Sequence, residues 1–428
     1  MRPPFPLESL ITFKLEDKNS GFLECKPKTL IRAISQRKCP EVRKSLPNAL
    51  LLFFFVLMVT FSAGEWLVRA NGRFDEDGNF FVGNLRCYPH RIPIRSWERK
   101  INRYLALKDK ASIQYDPVLG WAPRPKSTSG NGLYHYNEDA IRTASCDTVI
   151  LEDPRPGILR IAIFGDSFTH GDDVAFEDTW GYVLEKKLRS TGLNAEVLNF
   201  GVGGYGIDQS FLRWEKMGRL HKPKIVILGL QIENIRRCVN LMKPIYDSKT
   251  GMPFSKSRFT LEGGRLRLIN VPVPAPDQLI RIARDFDSWE LSKYEYWYDK
   301  DKYRDSIFLR SKLVSFIYSQ GKSGEQSERI EKPETLSLAI ISEFKKEAEA
   351  EGAMFFSVLL PYGDNLNSLP ADFLEKAEAI APLVRTDRIF SKEENQKRLQ
   401  ALIPLHYSPQ GNEIVADAVT DFIEKILN

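Results

Sequence analysis

The stretch Leu159-Arg160-Ile161-Ala162-Ile163-Phe164-Gly165-Asp166-Ser167-Phe168 decides the fold. Arg160 to Phe164 reads as a short apolar strand, and Gly165 allows the tight turn that follows it. Downstream, Thr179 to Ser190 reads as a helix and Glu196 to Phe200 as a second strand. Asp208 to Arg219 reads as a helix and Lys224 to Leu230 (KIVILGL) as a third strand. Short apolar runs alternating with helical ones are the signature of strand-helix-strand units, so the predicted class is α/β with a mostly parallel sheet. The rhythm breaks at about 236–332, where aromatic residues (Trp289, Tyr294, Tyr296, Trp297, Tyr298) and the polar run Gln320 to Glu331 read as an insertion. It resumes with a helix near Glu334 to Glu351, a strand at Met354 to Leu360, a helix at Ala371 to Ile380 and a last helix at Pro409 to Leu427. Pro409 suits the first turn of that helix, where its missing N–H would have no partner anyway.

Upstream of the sheet, residues 67–157 are irregular and aromatic and read as a lead-in packed on the main domain, residues 158–428. Ser45 to Gly64 carries no charge, and Ala49 to Phe61 reads ALLLFFFVLMVTF, so residues 45–66 form a transmembrane candidate of about the 20 residues that a helix needs to cross a bilayer. Its upstream flank holds Arg32, Arg37, Lys38, Arg43 and Lys44 against one acid, Glu41. This bias places residues 1–44 in the cytoplasm as a loosely ordered tail and the main domain on the extracytoplasmic side, in a single-pass membrane protein. A cleaved signal peptide fits less well, because about 45 residues precede the apolar run and Phe61-Ser62-Ala63 is a poor cleavage site.

The 428 residues are 43% hydrophobic and 27% charged, an ordinary globular composition, and 61 basic against 56 acidic residues leave too small an excess to imply a nucleic-acid partner. Five irregularly spaced cysteines make neither a disulfide scaffold nor a zinc motif, so no metal and no cofactor is expected. In an oxidising compartment Cys87 and Cys146 could meet as a disulfide.

Ser167 sits where a strand turns at the carboxyl edge of a parallel sheet, the edge at which such folds bind ligands. There a serine can either cap a helix or attack a substrate, with the following amides directed at a developing oxyanion. The second strand ends in Asn199-Phe200-Gly201-Val202-Gly203-Gly204-Tyr205-Gly206. It matches G-x-G-x-x-G formally, but it lacks the acid about twenty residues on that a dinucleotide site wants. Its glycines suit a tight turn or an oxyanion N–H donor. Asn234 follows the third strand, where its amide can donate a second oxyanion bond. Of five histidines, His90 and His135 precede the sheet, His221 lies in a basic turn and His170 is too near Ser167 in sequence to reach back. His406, just ahead of the last helix, remains as the base.

These four segments, in this order and spacing, resemble the four blocks of the SGNH (GDSL-type) hydrolases from about Leu159 to the C-terminus, the insertion apart. The resemblance implies a three-layer α/β/α sandwich, flavodoxin-like in its sheet. It implies Ser167 as nucleophile, with Asp166 supporting it in the G-D-S block, Gly204 and Asn234 as oxyanion donors and His406 as base. The activity implied is that of a serine esterase on an O-acyl ester, either an acylated carbohydrate of the cell envelope or a lipid ester. Related readings are an O-acyltransferase and an inactive, membrane-tethered glycan-binding relative. Two departures stand out. The family's third block reads Gly-x-Asn-Asp, whereas here Glu233 precedes Asn234 and Ile235 follows it, so the glycine and the second acid are absent; the acid expected three residues before the histidine falls on Ile403, with Pro404 and Leu405 no better. A Ser-His dyad, oriented by a backbone carbonyl, is therefore the expectation.

Overall fold

The computed structural model describes residues 42–322, 332–363 and 369–427, so the expected tail lies outside the described residues up to residue 41. The chain divides into two units, one ending at Leu67 and one running from Val68 to Asn428. The described part of the first belongs to helix α1 (Val42–Asn71). Its Asn48–Asn71 segment is 24 residues long, and its most apolar 18-residue window has a mean hydropathy of 2.0 and holds no buried residue. At 1.5 Å per residue that is about 36 Å, long and apolar enough to cross a bilayer.

The second unit is built on an eight-stranded sheet. Its strands are β1 (Ser127–Thr128), β2 (His135–Tyr136), β3 (Arg142–Thr143), β4 (Leu159–Phe164), β5 (Ala195–Asn199), β6 (Ile225–Leu230), β7 (Met354–Leu359) and β8 (Leu383–Arg385), in the order β8-β7-β6-β4-β5-β3-β2-β1. From β4 to β8 all pairings are parallel. The first parallel strand therefore lies between the second and third, a flavodoxin-like order with its switch point between β4 and β6. The last three strands are antiparallel and come from the lead-in, which joins the sheet through Asn199 paired with Arg142.

Alternation along the strands sends successive residues to opposite faces. Ile161 and Ile163 of β4 and Ile225 and Ile227 of β6 pack with helices α3 (Trp180–Ser190) and α7 (Pro409–Leu427), through Trp180, Leu184, Val415 and Val419. Ala162, Phe164, Val226 and Leu228 pack on the other face with α4 (Ile207–Lys216) and α6 (Pro333–Ala350), through Phe211, Trp214, Ile340 and Phe344. Helices thus cover both faces, the three-layer α/β/α arrangement expected from sequence, and α7 begins at Pro409 as expected.

The insertion forms its own hairpin, Arg258–Glu262 with Arg265–Ile269. Its residues Leu279, Ile280 and Phe286 make a separate core with Trp97 and Ile101 of the lead-in helix Ile94–Leu107. Trp289, Tyr294, Trp297 and Tyr298 pack against that core. Cys87, buried, and Cys146, half-buried, are both free thiols, so the disulfide considered between them does not form.

The turn after β4 has no room for a side chain. Gly165 has φ +156°, and a Cβ there would stand 2.2 Å from Thr169 Oγ1 and 3.1 Å from the Gly229 carbonyl. Strain and overpacking together predict that Gly165→Ala costs about 2–4 kcal/mol, read as a lower thermal unfolding midpoint; an unchanged midpoint contradicts this account of the turn.

Candidate active site

Asp166 is the N-cap of the short helix Ser167–His170 (α2) and is fully buried. Its Oδ1 accepts the Phe168 N–H at 3.1 Å, while Oδ2 accepts Gln231 Nε2 at 2.6 Å and Arg237 Nη1 at 2.8 Å. Gln231 caps helix α5 (Ile232–Cys238), which also carries Asn234 and Arg237. One carboxylate therefore joins the end of β4 to the end of β6. Ser167, next to it, is 9% exposed. Among the described residues neither its N–H nor its Oγ has a hydrogen-bond partner.

The glycine-rich turn is tied to the same place. Asn199 Nδ2 donates to the Thr169 carbonyl at 2.9 Å, its Oδ1 accepts the Gly201 N–H at 3.0 Å, and the Val202 N–H donates to the Gly165 carbonyl at 3.1 Å. Gly204 adopts the left-handed region with φ +81°, and its N–H has no acceptor among the described residues. Trp121 of the lead-in holds the turn from outside, donating from Nε1 to the Gly203 carbonyl at 3.1 Å and accepting Tyr205 OH on its own carbonyl at 2.6 Å. Asn234 is buried, accepts the Gln231 N–H on Oδ1 at 2.7 Å and donates from Nδ2 to the Tyr205 carbonyl at 3.2 Å. One amide proton is thus engaged by the glycine turn, and the second remains for a ligand.

His406 lies in the loop before α7. That loop is closed by the Ser408 N–H on the Leu402 carbonyl and capped by Ser408 Oγ, which accepts the Gly411 N–H at 3.2 Å. Tyr407 anchors it, donating its OH to the Pro361 carbonyl at 2.7 Å. The His406 ring stands 5.0 Å from the Phe168 ring, centroid to centroid, which places it beside the residue that follows Ser167. No hydrogen bond links the imidazole to Ser167 Oγ, and Nε2 has no partner among the described residues. Nδ1 lies 2.6 Å from Asp173 Oδ2.

This last contact differs from the expected backbone-oriented imidazole: the group at His406 Nδ1 is a side-chain carboxylate, that of Asp173, six positions after Ser167. Asp173 has φ +69°, a conformation that aspartate tolerates better than most residues. Its N–H donates to Tyr134 OH at 3.0 Å. Sequence reasoning missed Asp173, and only the acidic pair Asp172-Asp173 in an otherwise tight turn was there to suggest it.

His170, set aside in the sequence, is buried and serves the scaffold. Nε2 meets Tyr136 OH at 2.9 Å and Nδ1 meets Asp172 Oδ1 at 2.5 Å. Burial pushes its pKa down. Burial works the other way on Asp172, but the adjacent His170 outweighs it and holds the carboxyl below its ordinary range. Among the described residues no group of three His, Cys, Asp or Glu side chains is arranged to hold a metal ion.

No family model matches the chain, and no curated protein matches it. Solved structures with local likeness include a lipolytic protein of the G-D-S-L family from Desulfitobacterium hafniense, 13% identical over 61% of this chain and 98% of that one, with a TM-score of 0.32. An acetylxylan esterase from Geobacillus stearothermophilus is 14% identical over 61% of this chain and 91% of its own, with a TM-score of 0.32. The esterase EstA from a Pseudoalteromonas species is 13% identical over 63% and 99%, with a TM-score of 0.30.

Proposed function

We propose that the chain is a serine esterase of SGNH type that cleaves an O-acyl ester through an acyl-enzyme. The observation that carries this reading is the Asp173–His406 contact, because an imidazole held at Nδ1 by a carboxylate presents Nε2 as a base and stabilises the imidazolium. His406 Nε2 takes the Ser167 proton as Oγ bonds to the acyl carbon. The tetrahedral oxyanion is received by the unpaired N–H groups of Ser167 and Gly204 and by the Asn234 amide, each donor worth about 10² to 10³ in rate. Collapse breaks the bond to the alcohol oxygen, which leaves with the proton from His406. Water then releases the acid and restores the serine. A sugar hydroxyl in place of water makes the same chemistry an O-acyltransferase.

The reading extends to placement. With α1 as an uncleaved anchor and the basic flank Arg32 to Lys44 in the cytoplasm, the folded unit faces outward, where an acylated carbohydrate of the envelope is the preferred substrate and a lipid ester the second. The unlinked Ser167 and His406 favour one other reading, an inactive glycan-binding relative. Catalytic hydrogen bonds that are long without substrate and tighten in the complex are common enough to rank it second.

Fluorophosphonate labelling of the full chain is expected at Ser167, with loss in Ser167→Ala and strong reduction in His406→Ala. Labelling that persists in Ser167→Ala removes the nucleophile assignment, while polysaccharide capture with no labelling at all supports the glycan-binding reading. Asp173→Asn is expected to lower kcat on p-nitrophenyl acetate by about 10² or more with little change in KM, and Asp173→Glu to recover part of it. A wild-type rate in Asp173→Asn rejects the role given to that carboxylate.

A further inference from the structure

Beside the glycine turn the site holds a cation that nothing among the described residues neutralises directly. Lys243 follows β6 and α5, is 4% exposed, and sets its Cε 3.8 Å from where a Cβ on Gly204 would stand. Among the described residues its Nζ has no hydrogen bond and no ion pair; it lies over the face of Tyr246, 5.0 Å from the ring centroid. The groups that face this amine are Arg237 and Glu233 on α5, Asp166 at the turn after β4, and Asp247 beyond Tyr246. Asp166 is engaged by Arg237 and Gln231, and Glu233 by Arg236 and Tyr246 OH. Arg237 adds a second orphan, since its Nε is buried without a partner while Nη1 serves Asp166 and the Tyr205 carbonyl.

An ammonium without a counter-ion is costly in such a place, and burial, reinforced by Arg237, pushes the Lys243 pKa down to about 7. The two orphaned donors flank the turn that carries Gly204, one from each of two successive elements, and together they ask for an anion. We propose that Lys243 and Arg237 form a carboxylate-binding subsite beside Gly204, so that the ester cleaved at Ser167 belongs to an anionic molecule. This rests on the esterase reading and narrows its substrate class. The carboxylate has two possible carriers: the alcohol half, as in an acylated uronic acid, or the acyl half, as in a dicarboxylic half-ester.

The test compares the full chain on two matched pairs, O-acetylated glucuronate against O-acetylated glucose and p-nitrophenyl hemisuccinate against p-nitrophenyl acetate. In at least one pair kcat/KM for the anionic ester is expected to exceed that of its neutral partner by about tenfold or more at pH 6. That preference should shrink as pH rises through about 7 to 8.5, since the amine loses its proton there while the substrate carboxylate stays ionised. Lys243→Met should abolish the preference, and Lys243→Arg should retain it at pH 8.5, because a guanidinium keeps its charge. Equal efficiency within both pairs overturns the subsite and leaves the esterase reading standing. Binding of glucuronate or succinate to the Ser167→Ala chain, followed by calorimetry against glucose, separates the other case. Lys243-dependent anion binding without turnover of any ester keeps the subsite and removes the esterase reading; neither binding nor turnover removes both.

Discussion

The Asp166 carboxylate is the constraint on which the site depends. It is buried, and it meets the Phe168 N–H in the first turn of α2, the Gln231 side chain that caps α5, and the Arg237 guanidinium. Through Arg237 and Asn234, both of which donate to the Tyr205 carbonyl, the glycine turn joins the same network. Three chain segments separated by tens of residues are thereby held at one rim of the sheet. A buried ion pair of this kind adds little net stability, because desolvation offsets most of the attraction, but losing one partner is expensive. Its effect here is geometric: the proposed nucleophile and the donors proposed for the oxyanion share one rigid reference point, as pre-organised catalysis requires.

Around His406 the geometry is held differently. His406 sits on a loop whose position comes from Tyr407 and Ser408 and from the start of α7, where Asn412 Oδ1 accepts the Trp180 N–H at 3.2 Å. The carboxylate that meets it is not on that loop. A carboxylate can orient an imidazole from any segment that brings an oxygen to Nδ1, since the requirement is a distance and a direction rather than a place in the chain. Asp173 meets that requirement from the turn after the proposed nucleophile. Its side chain is 58% exposed against 18% for His406, so water competes for the carboxylate and the backbone must keep it in place.

Which parts of this were legible in the sequence follows from the range of the interactions. The strands β4 to β7 and the flanking helices show in local periodicity, and Ser167, Gly204 and His406 show because each follows or precedes a regular element with a characteristic turn. The strands β1, β2, β3 and β8 are two or three residues long, too short for a period of two to declare itself. The Asp173–His406 contact spans 233 positions and depends on a left-handed backbone, neither of which leaves a local pattern. The aromatics of the insertion were visible as composition, but whether they line a groove or fill a core depends on partners such as Trp97, almost two hundred positions away in the chain.

The lead-in is what turns the loop bearing Asp173 into a fixed part of the site. Arg142, on the antiparallel extension of the sheet, is almost fully buried. It donates to the carbonyls of His170, Gly171 and Val174, the last at 2.7 Å, so it grips the loop on both sides of Asp173. Tyr134 lies under the same guanidinium at 4.8 Å and accepts the Asp173 N–H with its hydroxyl. Tyr136 meets His170, which in turn meets Asp172. A non-glycine residue held at positive φ persists only where its surroundings over-determine it. Apart from the His170–Asp172 contact within the loop itself, these supports come from residues 134–142, upstream of the first parallel strand. The lead-in is therefore structurally inseparable from the α/β core: without it the loop has no guanidinium or phenol to hold it, and nothing else among these contacts would keep a half-exposed carboxylate aimed at His406.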